Sequence, residues 1–174
     1  RPGTTAEKLA ELKPCFLEDG LVTAATSSQV SDGAAAVVLM SREKAEQLGV
    51  RPIARFLGFA VAGVDPSYMG IGPIYAVPKI MARTGLTVAD MDVIELNEAF
   101  AAQAIPCIRE LGIDTQRQLN PNGGAMALGH PLAGTGAILT AKLLYELKRR
   151  RARYGLVAFC MAGGQGGAAV FERI

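Results

Sequence analysis

Cysteine and histidine are scarce in this chain, and neither a long apolar run nor a surplus of charge is present. Cys15, Cys107 and Cys160 lie far apart and form no C-x-x-C pair, and His130 is the single histidine. That spacing excludes a zinc knuckle and disfavours a disulfide framework. A reducing cytoplasm or an organelle matrix is the expected setting. No uninterrupted apolar run approaches the roughly 20 residues a membrane-spanning helix needs, and no secretory leader opens the chain. The net charge of +2 argues neither for nor against a polyanionic partner. Only 20% of the 174 residues are charged and half are hydrophobic, so a large core is available and disorder is not expected. That length fits one good-sized domain, or one domain with part of another. The opening Arg1-Pro-Gly-Thr-Thr5, without a methionine, reads as a continuation from a longer chain.

The pattern along the chain alternates strands and helices. A polar helix is expected from Ala6 to Leu12. The apolar run Ala34–Met40 reads as a buried strand, followed by a polar helix from Arg42 to Leu48 that Gly49 closes. Arg51–Val64 is a longer strand, and Pro73–Thr84 a helix with proline at its start and Gly85 past its end. Asp92–Leu96 is a strand, and Asn97–Leu111 a helix in which Pro106 predicts a kink or break. Pro131 to about Arg150 is the longest helix. Tyr154–Cys160 and Ala168–Arg173 are strands joined by the turn Ala162–Gly167. The whole reads as an α/β sheet with crossover helices, ending in an antiparallel hairpin. No repeat or low-complexity segment is present, and residues 28–174 read as one domain.

Three places carry candidate chemistry. The segment Asn120–Gly136 surrounds His130 with five glycines at the start of a helix. Glycine allows close approach of backbone to ligand, and histidine is suited to proton transfer near neutral pH. The positive end of the helix disfavours the imidazolium, so a neutral ring is expected. A satisfied core histidine is the bland alternative. Asn97, where a strand gives way to a helix, reads either as an N-cap, with Glu98 favouring the helix's positive end, or as an amide holding a ligand or water at the sheet's carboxyl edge. Cys160 ends an apolar strand before a turn containing four glycines, and is either a small buried hydrophobe or a reactive thiol beside amides that could bind an oxyanion. Two phosphate-loop readings fail. Gly124–Gly129 is followed by His130 and Pro131 instead of Lys and Ser/Thr, and Gly164-Gln-Gly166 has no helix after it. The basic cluster Lys148–Arg153 complements the negative pole of a helix and is not the footprint of a nucleic-acid interface.

Taken in order, these segments resemble the thiolase family. Asn97-Glu-Ala-Phe-Ala101, Asn120–Gly136 and Cys160–Gly166 match three motifs of its C-terminal half. Thr23–Gly33 with Ala34–Ala36 is similar to its coenzyme A loop and first strand, and Tyr68–Pro73 is a fifth match. The resemblance covers essentially the whole chain. It implies residues 1–27 as the tail of the preceding loop region and 28–174 as a thiolase C-terminal domain, a five-stranded mixed sheet with helices on both faces.

By the same resemblance, Cys160 is the acid/base at the acyl α-carbon, His130 activates a nucleophilic cysteine, and Asn97 holds a water that completes an oxyanion hole. Ser28 contacts the pantetheine, Phe16, Ala24, Met69, Ala99 and Phe100 line the pocket, and the backbone of Ala162 borders a second oxyanion hole. Coenzyme A enters as a substrate, with no cofactor or metal. The implied activity is thiolytic cleavage of a 3-ketoacyl-CoA, or the reverse condensation, in fatty acid metabolism (β-oxidation). The complete enzyme would be a homodimer or homotetramer in the cytoplasm or an organelle matrix.

The family's nucleophile lies in its N-terminal half, and no cysteine here matches it, so this chain is expected to be inactive alone. Ala162 and Ala133 stand where the family usually has glycine, and Gln29 and Ser31 where Gly and Asn are more frequent. A non-catalytic, thiolase-like acyl-CoA or lipid-binding module is the alternative. A decarboxylating ketoacyl synthase would lack Cys160 and carry a second catalytic histidine or asparagine.

Overall fold

The computed structural model describes residues 2–174; Arg1, the first residue of the expected leading segment, lies outside them. Among the described residues one sheet holds β1 (Ala54–Gly63), β2 (Val93–Leu96), β3 (Tyr154–Met161) and β4 (Gln165–Arg173), in the order β1-β4-β3-β2. β2 runs parallel to β3, while β4 is antiparallel to β3 and to β1. The sheet is therefore mixed, as expected. The helices are α1 (Ala6–Ala10), α2 (Arg42–Gln47), α3 (Gly72–Thr84), α4 (Ala101–Glu110), α5 (Ala125–Leu128) and α6 (Thr135–Arg150). None is long and apolar enough to cross a membrane among the described residues.

α3 covers one face of the sheet and α6 covers β2, β3 and β4 on the other, because those strands are apolar on both faces. Successive strand residues point to opposite sides. Ile94, Leu96, Leu156, Ala158, Ala168 and Val170 pack with Val77 and Ile80 of α3 and Cys107 of α4. The alternate residues Val93, Val157, Ala169 and Phe171 pack with Leu139, Leu143 and Leu147 of α6, which recur once per helical turn. α3 ends on Gly85, which takes the left-handed φ of 70° that a helix C-terminus favours.

Several expectations change. The sheet has four strands among the described residues, not five. Beyond β2 a single parallel bridge, Ile94 to Leu119, marks a fifth position, with the Ile94 N–H donating to Gln118 at 2.8 Å and the Asn120 N–H to Ile94 at 2.9 Å. Ala34–Met40 forms no strand and is exposed throughout, Val38 at 84%; an apolar run needs a ladder neighbour, and no described residue supplies one.

The helix expected at Asn97 begins at Ala101, because the backbone from Ala99 to Ala101 is instead captured by the loop at Thr26–Ser28. The Ser28 N–H donates to Ala99 at 2.9 Å and the Ala101 N–H to Thr26 at 2.8 Å. Phe100 takes the cap position, so Asn97 is not the N-cap. α4 continues through Pro106 unbroken, since the bond that the proline forfeits falls at Ala102 in the first turn. Finally, α6 starts at Thr135 and not Pro131: Pro131 closes a separate turn, its carbonyl accepting the Gly134 N–H at 2.6 Å.

Candidate active site

Asn97 follows β2 directly, and its backbone N–H donates to the Ala158 carbonyl of β3 at 2.9 Å. That bond places its fully buried side chain at the carboxyl edge of the parallel pair. His130 reaches the same point from the loop before α6. Its Nε2 lies 3.3 Å from Asn97 Nδ2, and its Nδ1 lies 2.7 Å from the Thr135 hydroxyl. With the Asn97 amide donating, Nε2 is an acceptor, and the ring proton stays on Nδ1, from which Thr135 Oγ1 accepts it. Burial holds the pKa of His130 below its ordinary 6.5. The direction matches expectation, with desolvation as its cause. A neutral ring with an unprotonated Nε2 is a proton acceptor for a thiol that displaces its long 3.3 Å contact with the Asn97 amide.

The loop Thr23–Gly33 is laid against His130 and against the Ala99–Ala101 backbone that follows Asn97. It bridges Phe100 through Ser27 and His130 through Val30, and its Gln29 carbonyl accepts the His130 N–H at 3.3 Å. Gly129 makes this approach possible: its φ is 100°, and a Cβ there would strike the Ser31 hydroxyl. Ser28 is half-buried in this loop, with Ala24 exposed beside it. Phe16, Val22, Tyr68, Gly70, Phe100 and Gln103 bound an open cleft of about 310 Å³ next to the loop. Met69 is half-buried between two of those residues. Ala99 is buried and its carbonyl accepts from the loop's Ser28 N–H.

Cys160 lies just beyond Ala158 on β3, at the same sheet edge but outside the hydrogen-bonded Asn97–His130 pair. It is half-buried, and burial raises its pKa, so the neutral thiol is the resting form. Ala162 is exposed in the turn that follows. Cys107 is fully buried, pushed up to about 11 by desolvation, with its thiol 3.6 Å from the Gly70 carbonyl, and it behaves as a core residue. Cys15 is exposed. Among the described residues no group of His, Cys, Asp and Glu side chains is arranged to hold a metal ion.

Sequence reasoning passed over Thr135, although it stands inside the glycine-rich segment; its role depends on the turn that brings it back under the ring. It also passed over the ion pair between the buried Glu95 and Lys142 Nζ, 2.7 Å apart beneath the site, where β2 and α6 face each other. Nothing in β2 except one acidic residue within an apolar strand signals that pair.

Comparison with known proteins decides the family. The model of the thiolase C-terminal domain matches residues 50–173, and that of the thiolase N-terminal domain matches residues 1–43. The chain belongs to the thiolase family. It is 56% identical over 172 residues to a 3-ketoacyl-CoA thiolase of Bacillus subtilis, covering 99% of this chain and 44% of that protein. The crystal structure of Bacillus anthracis acetyl-CoA acetyltransferase superposes with a TM-score of 0.97 at 47% identity, over all of this chain and 44% of that one. Human mitochondrial 3-ketoacyl-CoA thiolase in complex with CoA gives 0.93 at 43% identity, again over 100% and 44%. The chain thus spans less than half the length of these thiolases, and its Asn97, His130 and Cys160 stand at the thiolase motifs read from the sequence.

Proposed function

We propose that this chain is the C-terminal portion of a thiolase that, with an N-terminal half, cleaves a 3-ketoacyl-CoA with coenzyme A or runs the reverse condensation. The observation that carries the reading is the neutral His130, hydrogen-bonded to the buried Asn97 and set against the loop of Ser28, at the sheet edge where Cys160 also emerges. The chemistry assigns each a step. His130 Nε2 takes the proton from a cysteine thiol of the N-terminal half, and the thiolate attacks the 3-keto carbon. Breaking the Cα–Cβ bond leaves the acyl group on that cysteine and a carbanion on the acetyl-CoA fragment, which Cys160 protonates. Cys160, now a thiolate, takes the thiol proton of coenzyme A, whose sulfur takes the acyl group as a thioester, and the freed cysteine thiolate recovers its proton from His130. The raised pKa of Cys160 suits a proton donor. Asn97 and His130 hold a water and the thioester oxygen while negative charge develops there, and the Ala162 backbone borders a second oxyanion site.

The pantetheine arm of coenzyme A runs past Ser28 and Ala24, with Phe16, Met69, Ala99 and Phe100 along its pocket. Residues 1–27 are read as the tail of the preceding loop region and 28–174 as the C-terminal domain, beside family-model matches over 1–43 and 50–173. Ala34–Met40, exposed here, falls in the stretch that the N-terminal domain model matches and is apolar surface for that half to cover. Phe59 and Val61 on the open side of β1, at 40% and 43% exposure, are further apolar surface for that half to cover. The complete enzyme is placed in the cytoplasm or an organelle matrix as a homodimer or homotetramer, without nucleic-acid partners.

The test is coenzyme A-dependent cleavage of acetoacetyl-CoA by this chain, by this chain with a separately made N-terminal half, and by the pair carrying Cys160→Ala. Turnover only in the unmodified pair supports the reading. Turnover by the chain alone, or an unaffected Cys160→Ala pair, would overturn it, and tight binding of acyl-CoA without any turnover by the pair would favour a non-catalytic module.

A further inference from the structure

Glu98, the second residue of the Asn97–Ala101 segment, takes no part in the chemistry above. Yet it bridges the two loops that make the site. Asn97 leaves β2, whereas His130 precedes α6, and their 3.3 Å contact depends on how these stretches are held together. Glu98 Oε1 accepts from Asn120 Nδ2 at 2.8 Å, and its Oε2 accepts from the Met126 backbone N–H at 3.3 Å. Asn120 is in turn locked to the end of β2: its Oδ1 accepts the Leu96 N–H and its Nδ2 donates to the Leu96 carbonyl, both at 2.9 Å. Met126 lies in α5, which runs directly into Gly129 and His130. One carboxylate, adjacent in sequence to Asn97, therefore holds both ends of the stretch that delivers His130.

The space around the carboxylate agrees with its bonding. Gly124 has φ −101°, open to any residue, so backbone freedom does not explain the glycine. A methyl group built there would overlap the Glu98 carboxyl group. Glycine at 124 makes room for that side chain. Asn120 holds φ 40°, a left-handed conformation in which asparagine is enriched, and its paired bonds to Leu96 keep it there. An N-terminal helix role does not account for Glu98, because α4 begins only at Ala101.

We propose that Glu98 is a positioning residue for the Asn97–His130 pair, acting through Asn120 and Met126, and that Gly124 is small in order to admit its carboxylate. The proposal rests on the reading of Asn97 and His130 as the reacting pair. Two carboxylate oxygens serve two donors; glutamine would keep one acceptor and set an N–H₂ against the other donor. Alanine removes both bonds, and alanine at 124 displaces the carboxylate from outside.

Because His130 is the only histidine, its ring ¹⁵N signals in this chain are free of overlap. They are recorded for the unaltered chain, Glu98→Ala, Glu98→Gln, Gly124→Ala and Glu98→Ala/Gly124→Ala, with urea midpoints alongside. The expected result is one fixed tautomer in the unaltered chain and averaging between tautomers in both alanine variants. The double variant should match Glu98→Ala, since the methyl group then has nothing left to displace. Glu98→Gln, of nearly the same shape, keeps the fold and gives intermediate ring signals. Unchanged ring signals in Glu98→Gln and Gly124→Ala, even with lowered midpoints, would reduce Glu98 to a stabilising contact and overturn the proposal. Effects that simply add in the double variant would do the same. These signals need no substrate, so a failed cleavage assay and a failed ring response are separate results.

Discussion

Removing Lys142 strands the Glu95 carboxylate in the interior. Glu95 is fully buried, with Oε2 bound to Lys142 Nζ at 2.7 Å and Oε1 without a partner among the described residues. Lys142 also donates to the Gly123 carbonyl at 2.6 Å, so it ties the glycine-rich segment to β2. Burial raises the pKa of Glu95 above 4.5, and Lys142 opposes that rise. A raised pKa means that the folded chain holds the proton more tightly than the unfolded chain. Stability therefore declines as pH climbs from 4.5 to the folded value and is level above it.

Lys142→Met leaves a buried charge uncompensated, which costs about 3–5 kcal/mol at neutral pH. That is a large share of the roughly 5–15 kcal/mol by which domains are stable. Urea unfolding followed by circular dichroism reads the loss as a lower midpoint. Part of it should return as pH falls toward 4.5 and Glu95 takes up its proton. Adding Glu95→Met to Lys142→Met removes the stranded charge and should restore most of the stability. A loss at neutral pH below about 1 kcal/mol, the value of a surface pair, would refute the reasoning. So would a double variant no more stable than the single one.

Leu143 is fully buried on α6, its side chain pressed against Gly155, and Leu143→Ala should cost about 2–5 kcal/mol in the same unfolding assay. Glu146 is held down to about 2, chiefly by Arg149 and also by Asn122 and Arg150. Its lowered folded pKa stabilises the fold above 4.5, and that advantage over Glu146→Gln should vanish in pH-dependent unfolding as pH falls through about 2. Thr135→Val removes the acceptor for His130 Nδ1; it should cost roughly 1 kcal/mol of stability, and ring ¹⁵N signals should show a mixture of tautomers in place of one.

Much of this molecule is legible in the sequence because its strands are buried on both faces and its helices carry ordinary stops. Asp92–Leu96 and Tyr154–Cys160 read as strands, within a residue of those observed, and Gly85 and Gly112 punctuate the chain where the helices end. The failures have physical causes. Gln118–Asn120 pairs with β2 by one bridge at Leu119, and three residues are too few to carry strand periodicity. Ala34–Met40 does carry a strand's composition, but a ladder is a property of two strands and no described residue is its second. The late start of α4 comes from tertiary bonds to the loop at Thr26–Ser28, which local propensity cannot announce, and that of α6 from a local turn in which the Pro131 carbonyl accepts the Gly134 N–H. At the site, Asn97, His130 and Cys160 stood out by residue type and surroundings. Thr135, Glu98 and Lys142 act through contacts between distant segments, and their residue types are ordinary at those positions.

The most direct measurement of the central claim is deuterium uptake at the acyl α-carbon of acetyl-CoA in D₂O, catalysed by this chain joined with an N-terminal half. Uptake that Cys160→Ala abolishes, while the acyl group still passes to the partner's cysteine, is the predicted result. Uptake undiminished in Cys160→Ala would contradict the assignment of the α-proton to Cys160, and with it the division of labour proposed between the two halves.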